Sequence, residues 1–310
     1  MKPIVVVGSI NMDLVSHTKR IPAPGETVIG TSFEMHSGGK GANQAVAVAR
    51  LEYPSILLGA VGDDIFGTTL LATLRDHGVD VSYIKTTAEP SGTATIVVDS
   101  NGENTIIVTP AANTQVTASY LERSKEVLRS AGMVLTQLET PIETVMWLAD
   151  FCAIERIPLM LDPAPATNLP DALLRKLTWF TPNETEASFY TLDGESNEQA
   201  LARLFKLGIA NIILKQGPKG VVLATADGVR EVVDAFRVNA CDTTAAGDAF
   251  NGAFAVCLMH GNPPAASARF AAAAAAISVT RAGAQPSLAN QDEVLALMES
   301  AVPNEEKATF

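Results

Sequence analysis

Met133-Val134-Leu135-Thr136-Gln137-Leu138 is an apolar run of strand length, and Pro141–Glu155, of helical length, follows it almost at once. A short, nearly continuous apolar run is what a strand buried on both faces shows, and a helix after it makes the crossover that a parallel neighbour requires. Working outward, Ile4–Gly8, Ile56–Val61, Pro158–Leu161, Trp179–Thr181 and Ile209–Lys215 repeat the run, while Gly41–Glu52 and Gly67–His77 supply further helices. Alternation of this kind predicts a three-layer α/β domain with a parallel sheet covered on both faces.

Two regions depart from the pattern. Asp13–His36 and Ser91–Thr109 alternate apolar and polar residues, as in Thr93-Ala94-Thr95-Ile96-Val97-Val98, with a turn signal at Ser100-Asn101-Gly102. They predict a small, half-exposed antiparallel sheet, whose apolar face needs cover. A lid over a cleft, a dimer contact and a plain edge hairpin all fit. No repeat, linker or composition break divides the chain, so residues 1–310 are expected to form one domain, with a polar, frayed tail at Pro303–Phe310.

Composition narrows the function. With 22 basic against 34 acidic side chains the chain carries a net charge of −12, and it lacks the basic stripe that a nucleic-acid backbone requires. The aromatic content of 5% also argues against a base-stacking surface. A mean hydropathy of +0.19 suits a chain with ample core material. Cys152, Cys241 and Cys257 are widely spaced and form no CxxC pair, so buried or semi-buried thiols are expected rather than a disulfide framework or zinc site. The N-terminus lacks a signal peptide's length and cleavage site, and Phe270–Val279 is too short and too small to span a bilayer. A cytoplasmic protein with no nucleic-acid or membrane partner is the expectation.

Four stretches carry chemistry. Gly38-Gly39-Lys40-Gly41-Ala42-Asn43 opens a helix, with glycines that permit close backbone approach and with donors on Lys40 and Asn43. A tight turn reads the same way. It is not a Walker loop, because Gly41 follows Lys40 and Glu34 stands at the upstream glycine position. No GxGxxG follows the first strand, which removes the main support for a dinucleotide-dependent oxidoreductase. Asp242-Thr243-Thr244-Ala245-Ala246-Gly247-Asp248-Ala249-Phe250 leads into an apolar helix. Small residues at 245–247 let successive N–H groups face an anion, and Asp248 stands where a carboxylate can take a proton from a hydroxyl; helix-dipole complementation is its plain alternative. Thr181-Pro182-Asn183-Glu184-Thr185-Glu186 reads either as a helix cap or as a carboxylate able to hold magnesium through water. Lys215-Gln216-Gly217-Pro218-Lys219-Gly220 reads as a turn or a nucleotide-lining loop.

Together with Gly8-Ser9-Ile10-Asn11-Met12-Asp13 and Arg281-Ala282-Gly283-Ala284-Gln285-Pro286-Ser287, these motifs in this order resemble the ribokinase-like branch of the PfkB family of carbohydrate kinases. The likeness spans nearly the whole chain. It implies a ribokinase-like, doubly wound, mostly parallel sheet with a small antiparallel lid at about 13–36 and 91–109, and ATP-dependent phosphorylation of a sugar, first of all the 5-hydroxyl of ribose. Asn11, Asp13, Gly39, Lys40, Asn43 and Glu139 match the family's sugar-binding positions. Asp248 matches the general base, and Ala245, Ala246 and Gly247 the anion hole. Asn183, Lys215, Gly217, Gly220, Gly247 and Ala272 match the nucleotide side, and Glu186 the magnesium-water position. Asp242, Thr244, Ser278, Arg281, Gly283 and Ser287 match loops that hold an activating potassium ion.

Three departures stand out. Pro110-Ala111-Ala112-Asn113 replaces the usual Gly-Ala-Asn, Ala272 replaces a His or Asn that often faces adenine, and Lys215-Gln216 replaces a Thr-hydrophobe pair. A kinase for deoxyribose, a ketose or a nucleoside is the alternative within the class, and a non-catalytic sugar sensor the alternative outside it. The lid segments, with Phe33 the only aromatic of the first, are expected to pair two copies as a homodimer.

Overall fold

All four residues of Ile4–Val7 are buried because the strand feeds two cores: Ile4 and Val6 face one, Val5 and Val7 the other. Period-two alternation thus reads as a continuous apolar run. The computed structural model describes residues 1–191 and 195–301, and the tail expected to fray lies outside them. In chain order the strands are β1 (Ile4–Val7), β2 (Asn11–His17), β3 (Ser32–Gly38), β4 (Ser55–Leu58), β5 (Ala60–Gly62), β6 (Lys85–Thr87), β7 (Gly92–Val98), β8 (Asn104–Thr109), β9 (Met133–Thr136), β10 (Leu159–Leu161), β11 (Trp179–Phe180), β12 (Asn211–Lys215), β13 (Val221–Thr225) and β14 (Arg230–Val233).

Among the described residues, β14-β13-β12-β11-β10-β9-β1-β4 form the large sheet, parallel from β4 to β12 and antiparallel across β12-β13-β14. Helices Lys40–Arg50, Ile65–Asp76, Ala246–Met259, Pro264–Ser278 and Gln291–Ser300 cover one face. Ala118–Arg123, Lys125–Ser130, Ile142–Glu155, Asp171–Leu174 and Asn197–Lys206 cover the other. The three-layer reading holds. From β1 the chain goes to β4 on one side and later to β9 on the other, so the crevice beyond β1 and β9 is a topological switch point, where open α/β sheets bind ligands.

The run Ile56–Val61, expected as one strand, breaks into β4 and β5 at Gly59. A Cβ there would stand 2.8 Å from Ile10 Cδ1 and 3.1 Å from the carbonyl of Gly8. Beyond that glycine, β5 leaves the large sheet and pairs with β6.

The separate sheet has the order β3-β2-β7-β8, antiparallel within each hairpin and parallel between β2 and β7. Its β7–β8 turn sits at the Ser100-Asn101-Gly102 signal, where the Asp99 carboxylate accepts the N–H groups of Asn101 and Glu103. Register sets Asp13 beside His36 and Ala94 on one face, while Met35, Leu14, Thr95 and Ile107 form a row on the other. Phe33, Met35, Ile106, Ile107 and Val108 are exposed. No described helix is long and apolar enough to cross a membrane. All three cysteines are free; Cys152 and Cys257 are buried, but Cys241, in the loop before the long apolar helix, is exposed rather than semi-buried.

Candidate active site

The glycines of residues 38–41 bring backbone against backbone. Gly39 has a φ of 90°, and a Cβ on it would lie 2.7 Å from the Asn11 nitrogen. A Cβ on Gly41 would lie 2.6 Å from the Gly8 backbone. This close approach, possible only without side chains, sets the start of helix Lys40–Arg50 against the segment leaving β1. Across the switch point, Ser9 Oγ donates to Glu139 Oε2 at 2.5 Å, and Asn11 Nδ2 reaches the same oxygen at 3.5 Å. Asn113, after β8, holds this segment: its Oδ1 accepts the Ile10 N–H at 2.9 Å and its Nδ2 donates to Asn11 Oδ1 at 2.8 Å.

Asp13 and Asp248 face this crevice with Lys40. Burial, then the charge of Glu139, pushes the Asp13 carboxyl up to about 7. Asp248 is 5% exposed, and burial raises it to about 6 against the opposing charge of Lys40. Lys40 stays firmly charged: burial works against it, and the carboxylates of Asp248, Asp162, Glu139 and Glu186 outweigh that cost. Asp248 Oδ2 accepts Asn43 Nδ2 and Oδ1 accepts Gln44 Nε2, each at 3.0 Å. The buried Asn43 Oδ1 has no partner among the described residues, which suits an incoming hydroxyl. The set can bind a polyol and take a proton from it.

Asp248 occupies the first turn of helix Ala246–Met259. One turn on, Gly252 lets that helix touch its neighbour: a Cβ there would stand 2.6 Å from Ala47 Cβ and 3.2 Å from the Gln44 carbonyl. That crossing brings Asn43 and Gln44 within reach of Asp248. The cap residue Ala245 is left-handed, with φ 60° and ψ 10°. The Ala246 N–H turns back to the Thr243 carbonyl at 3.3 Å, whereas that of Gly247 is free among the described residues. A positive helix end with a free N–H suits an anion.

From Asp248 a cleft of about 790 Å³ runs past the carboxyl ends of β10, β11 and β12. Lys40, Asn183, Glu186, Lys215, Gly217, Gly220, Ala245, Ala246, Gly247 and Ala272 line it, so the residues expected at the nucleotide and phosphate positions share one space. Asn11, Asp13, Gly39, Asn43 and Glu139 lie beyond its end, at the switch point. Asn183 and Glu186 form a complete capping box, Glu186 accepting the Asn183 N–H at 2.8 Å and Asn183 Oδ1 the Glu186 N–H at 2.7 Å. Burial, then the charge of Asp162, raises the Glu186 carboxyl.

The expected cation loops meet through Asp242, whose carboxylate accepts the N–H groups of Thr244 at 2.9 Å and Gly283 at 2.8 Å. Burial works to raise that carboxyl, and these donors outweigh it, holding it below the usual carboxylate range. The side chains of Ser278, Ser287 and Arg281 are engaged elsewhere: the two hydroxyls bond the carbonyls of Ala275 and Ala284, and Arg281 pairs with Glu293. The two serine oxygens keep lone pairs while donating, so they or backbone carbonyls could meet a cation, whereas the Arg281 guanidinium could not.

Sequence reasoning missed Gln44, Asp162 and Gln137, and named Asn113 only as part of the departing segment Pro110–Asn113. Asp162 is 3% exposed and pairs with Lys215 Nζ at 3.0 Å. Its signal was available, a carboxylate directly after the apolar run Pro158–Leu161, where strand ends meet the crevice. Gln44 adjoins a motif already singled out.

The sequence pattern of the pfkB family carbohydrate kinases matches residues 1–291. A ribokinase of Bacillus subtilis is 41% identical over 300 residues, 96% of this chain and 100% of its own length. A deoxyribokinase of Salmonella typhi is 39% identical over 306 residues, 96% of this chain and 99% of its own. Arabidopsis thaliana ribokinase, solved with ribose and ATP, superposes with a TM-score of 0.91 at 35% identity, covering 96% of this chain and 99% of that one.

Proposed function

Because the chain belongs to the pfkB family of carbohydrate kinases, we propose that it transfers the terminal phosphoryl group of ATP to the 5-hydroxyl of D-ribose. One observation carries the reading: Asp248, buried and held by two amide donors, lies at the mouth of a helix N-terminus and closes one end of a cleft of nucleotide size. Asp248 takes the hydroxyl proton as the bond to phosphorus forms, and the 245–247 helix end meets the developing charge, with Gly247 offering its free N–H. Asn11, Asp13, Gly39, Lys40, Asn43 and Glu139 hold the sugar in that geometry, the carboxylates accepting and the amides and ammonium donating. Asn183, Lys215, Gly217, Gly220 and Ala272 line the nucleotide.

Asn11 favours ribose over deoxyribose, since its amide nitrogen is held only at 3.5 Å and an extra hydroxyl would complete it. ATP consumption measured over D-ribose, 2-deoxy-D-ribose, ketoses, hexoses and nucleosides tests the assignment. D-ribose is expected to give the highest kcat/KM; a tenfold advantage for deoxyribose would transfer it to that sugar.

ATP enters such a reaction as its magnesium complex, the ion neutralising phosphate charge. Glu186 and Asp162 fit it: their mutual repulsion would be relieved by a divalent cation, and because both Glu186 oxygens already bond Asn183 the contact suits a bridging water. For potassium, the loops joined by Asp242 offer carbonyls from residues 242, 244, 278, 281, 283 and 287, and stimulation by potassium over sodium is the matching test. The exposed Phe33, Met35 and Ile107 suit a homodimer through the small sheet, which sedimentation at micromolar concentration would reveal. As a consumer of ATP and sugar, the protein acts in the cytoplasm.

A further inference from the structure

We propose that Gln44 is a positioning residue for the base: its amide group clamps Asp248 to Asp162 and so fixes the face that Asp248 presents to the substrate hydroxyl. The inference rests on the kinase reading with Asp248 as base.

Gln44 is 1% exposed, and its one NH2 group serves two buried carboxylates, Asp248 Oδ1 at 3.0 Å and Asp162 Oδ2 at 3.2 Å. The direction of the amide is not free. Gln137 Nε2 donates to Gln44 Oε1 at 2.7 Å, so the oxygen must face Gln137 and the nitrogen the carboxylates. On its far side Asp162 Oδ1 accepts Lys215 Nζ at 3.0 Å, and that ammonium lies 3.3 Å from where a Cβ on Gly247 would stand. A buried chain thus runs from Gln137 through Gln44 to both carboxylates and on to the cation at the helix end.

The chain solves a problem that the base alone cannot. Two carboxylates sharing a dry pocket repel each other, and Asp248 left to Asn43 alone could pivot about one hydrogen bond. One NH2 group with a hydrogen for each carboxylate holds the pair together and leaves each Asp248 oxygen a lone pair for the reacting hydroxyl. Gln44 is buried, with its NH2 group spent on the two carboxylates and its oxygen on Gln137, so it acts through Asp248. The other charged groups that bear on the base are Lys40, Asp162 and Asp13, and Lys40 and Asp13 make no hydrogen bond to Gln44.

Gln44→Met keeps the side chain's length and removes both donors. It is expected to lower kcat by about 10- to 100-fold, the scale of a misplaced reacting group, while the sugar dissociation constant by calorimetry changes less than about threefold, as expected of a group that does not touch the sugar. Loss of a donor to the charged form raises a carboxyl pKa, so the acid limb of kcat/KM should move to higher pH. In an Asp248→Asn background the same change should cost little more, because residues acting as a unit are not additive. Gln137→Met is the second variant in case Gln44→Met does not fold. It removes one hydrogen bond and an oxygen that already lacks a partner, and is expected to give a smaller kcat loss with a smaller shift of the acid limb in the same direction. Turnover and acid limb unchanged in both folded variants, or sugar affinity falling in step with kcat, would overturn the proposal. A wild-type chain that phosphorylates no sugar would instead remove the kinase reading beneath it.

Discussion

At the switch-point end of the cleft, Asp248, Asn43, Gln44 and Asp162 are fixed by hydrogen bonds between buried side chains; at the other end Ala272, Ala275, Ala276 and Val279 simply leave room. The first end resists rearrangement because each donor has a defined acceptor, and a group that must meet developing charge gains most from such preorganisation. The second end is shaped by small apolar surfaces, which would accommodate a flat ring without directing it. On the proposed reading, the contrast separates positioning of the reacting atoms from accommodation of the rest of the nucleotide.

The largest expected effect tests the fixed end. Asp248→Asn should lower kcat at least about a hundredfold, the lower end for a general base, while sugar binding by calorimetry stays within about threefold; equal turnover would break the contrast at its root. Next comes the electrostatic cost of this end. The folded Asp13 carboxyl lies above its unfolded value of 3.8, at about 7. Its contribution to stability is therefore full below about pH 4 and is lost as pH rises through 7. Asp13→Asn should melt above wild type at pH 8, by on the order of 2 kcal/mol after discounting for partial exposure, with little difference at pH 4 and a raised sugar KM. A variant less stable than wild type at pH 8 would show that the carboxylate is matched by cations already.

Filling the roomy end should be milder and separable. Ala272→Phe is expected to raise the KM for ATP about tenfold, an overpacking cost of roughly 1.4 kcal/mol, with sugar affinity unchanged; parallel loss of both would mean the ends are not independent. The smallest effect concerns backbone. Ala111, at φ 43°, stands where the family carries glycine. Ala111→Gly should stabilise by up to about 1 kcal/mol in urea unfolding, the relieved left-handed strain being partly offset by the entropy of glycine.

Legibility followed the same division. The parallel strands of the large sheet were readable because burial on both faces leaves an unbroken apolar run, as in Ile4–Val7 and Met133–Thr136. The hairpin β13–β14 was not singled out, since exposed Arg230 and Glu231 mask the short β14 run. Gly59 ended a run that hydrophobicity alone would have continued, because the obstacle is a neighbour distant in sequence. In the site, Asp248, Lys40 and Asn43 announced themselves through small-residue helix starts. Gln44, Gln137 and Asn113 did not, for an amide's role depends on what lies across from it, and those partners come from strands and helices about 90 to 200 residues away.

Only Gly8, Ser9 and Ile10 separate the last residue of β1 from the first of β2. As a lever, this makes a very short fulcrum beneath a long arm. Seven residues at about 3.3 Å each give β2 a reach of roughly 20 Å, so a swing of about 10° at Ile10 would carry His17 some 4 Å but Asn11 less than about 1 Å. Asn11, the proposed sugar contact nearest the axle, would scarcely notice whether the far end is up or down. On the proposed reading, a sugar held at Asn11 would be gripped early, and any travel of the arm would be left to decide when water is shut out.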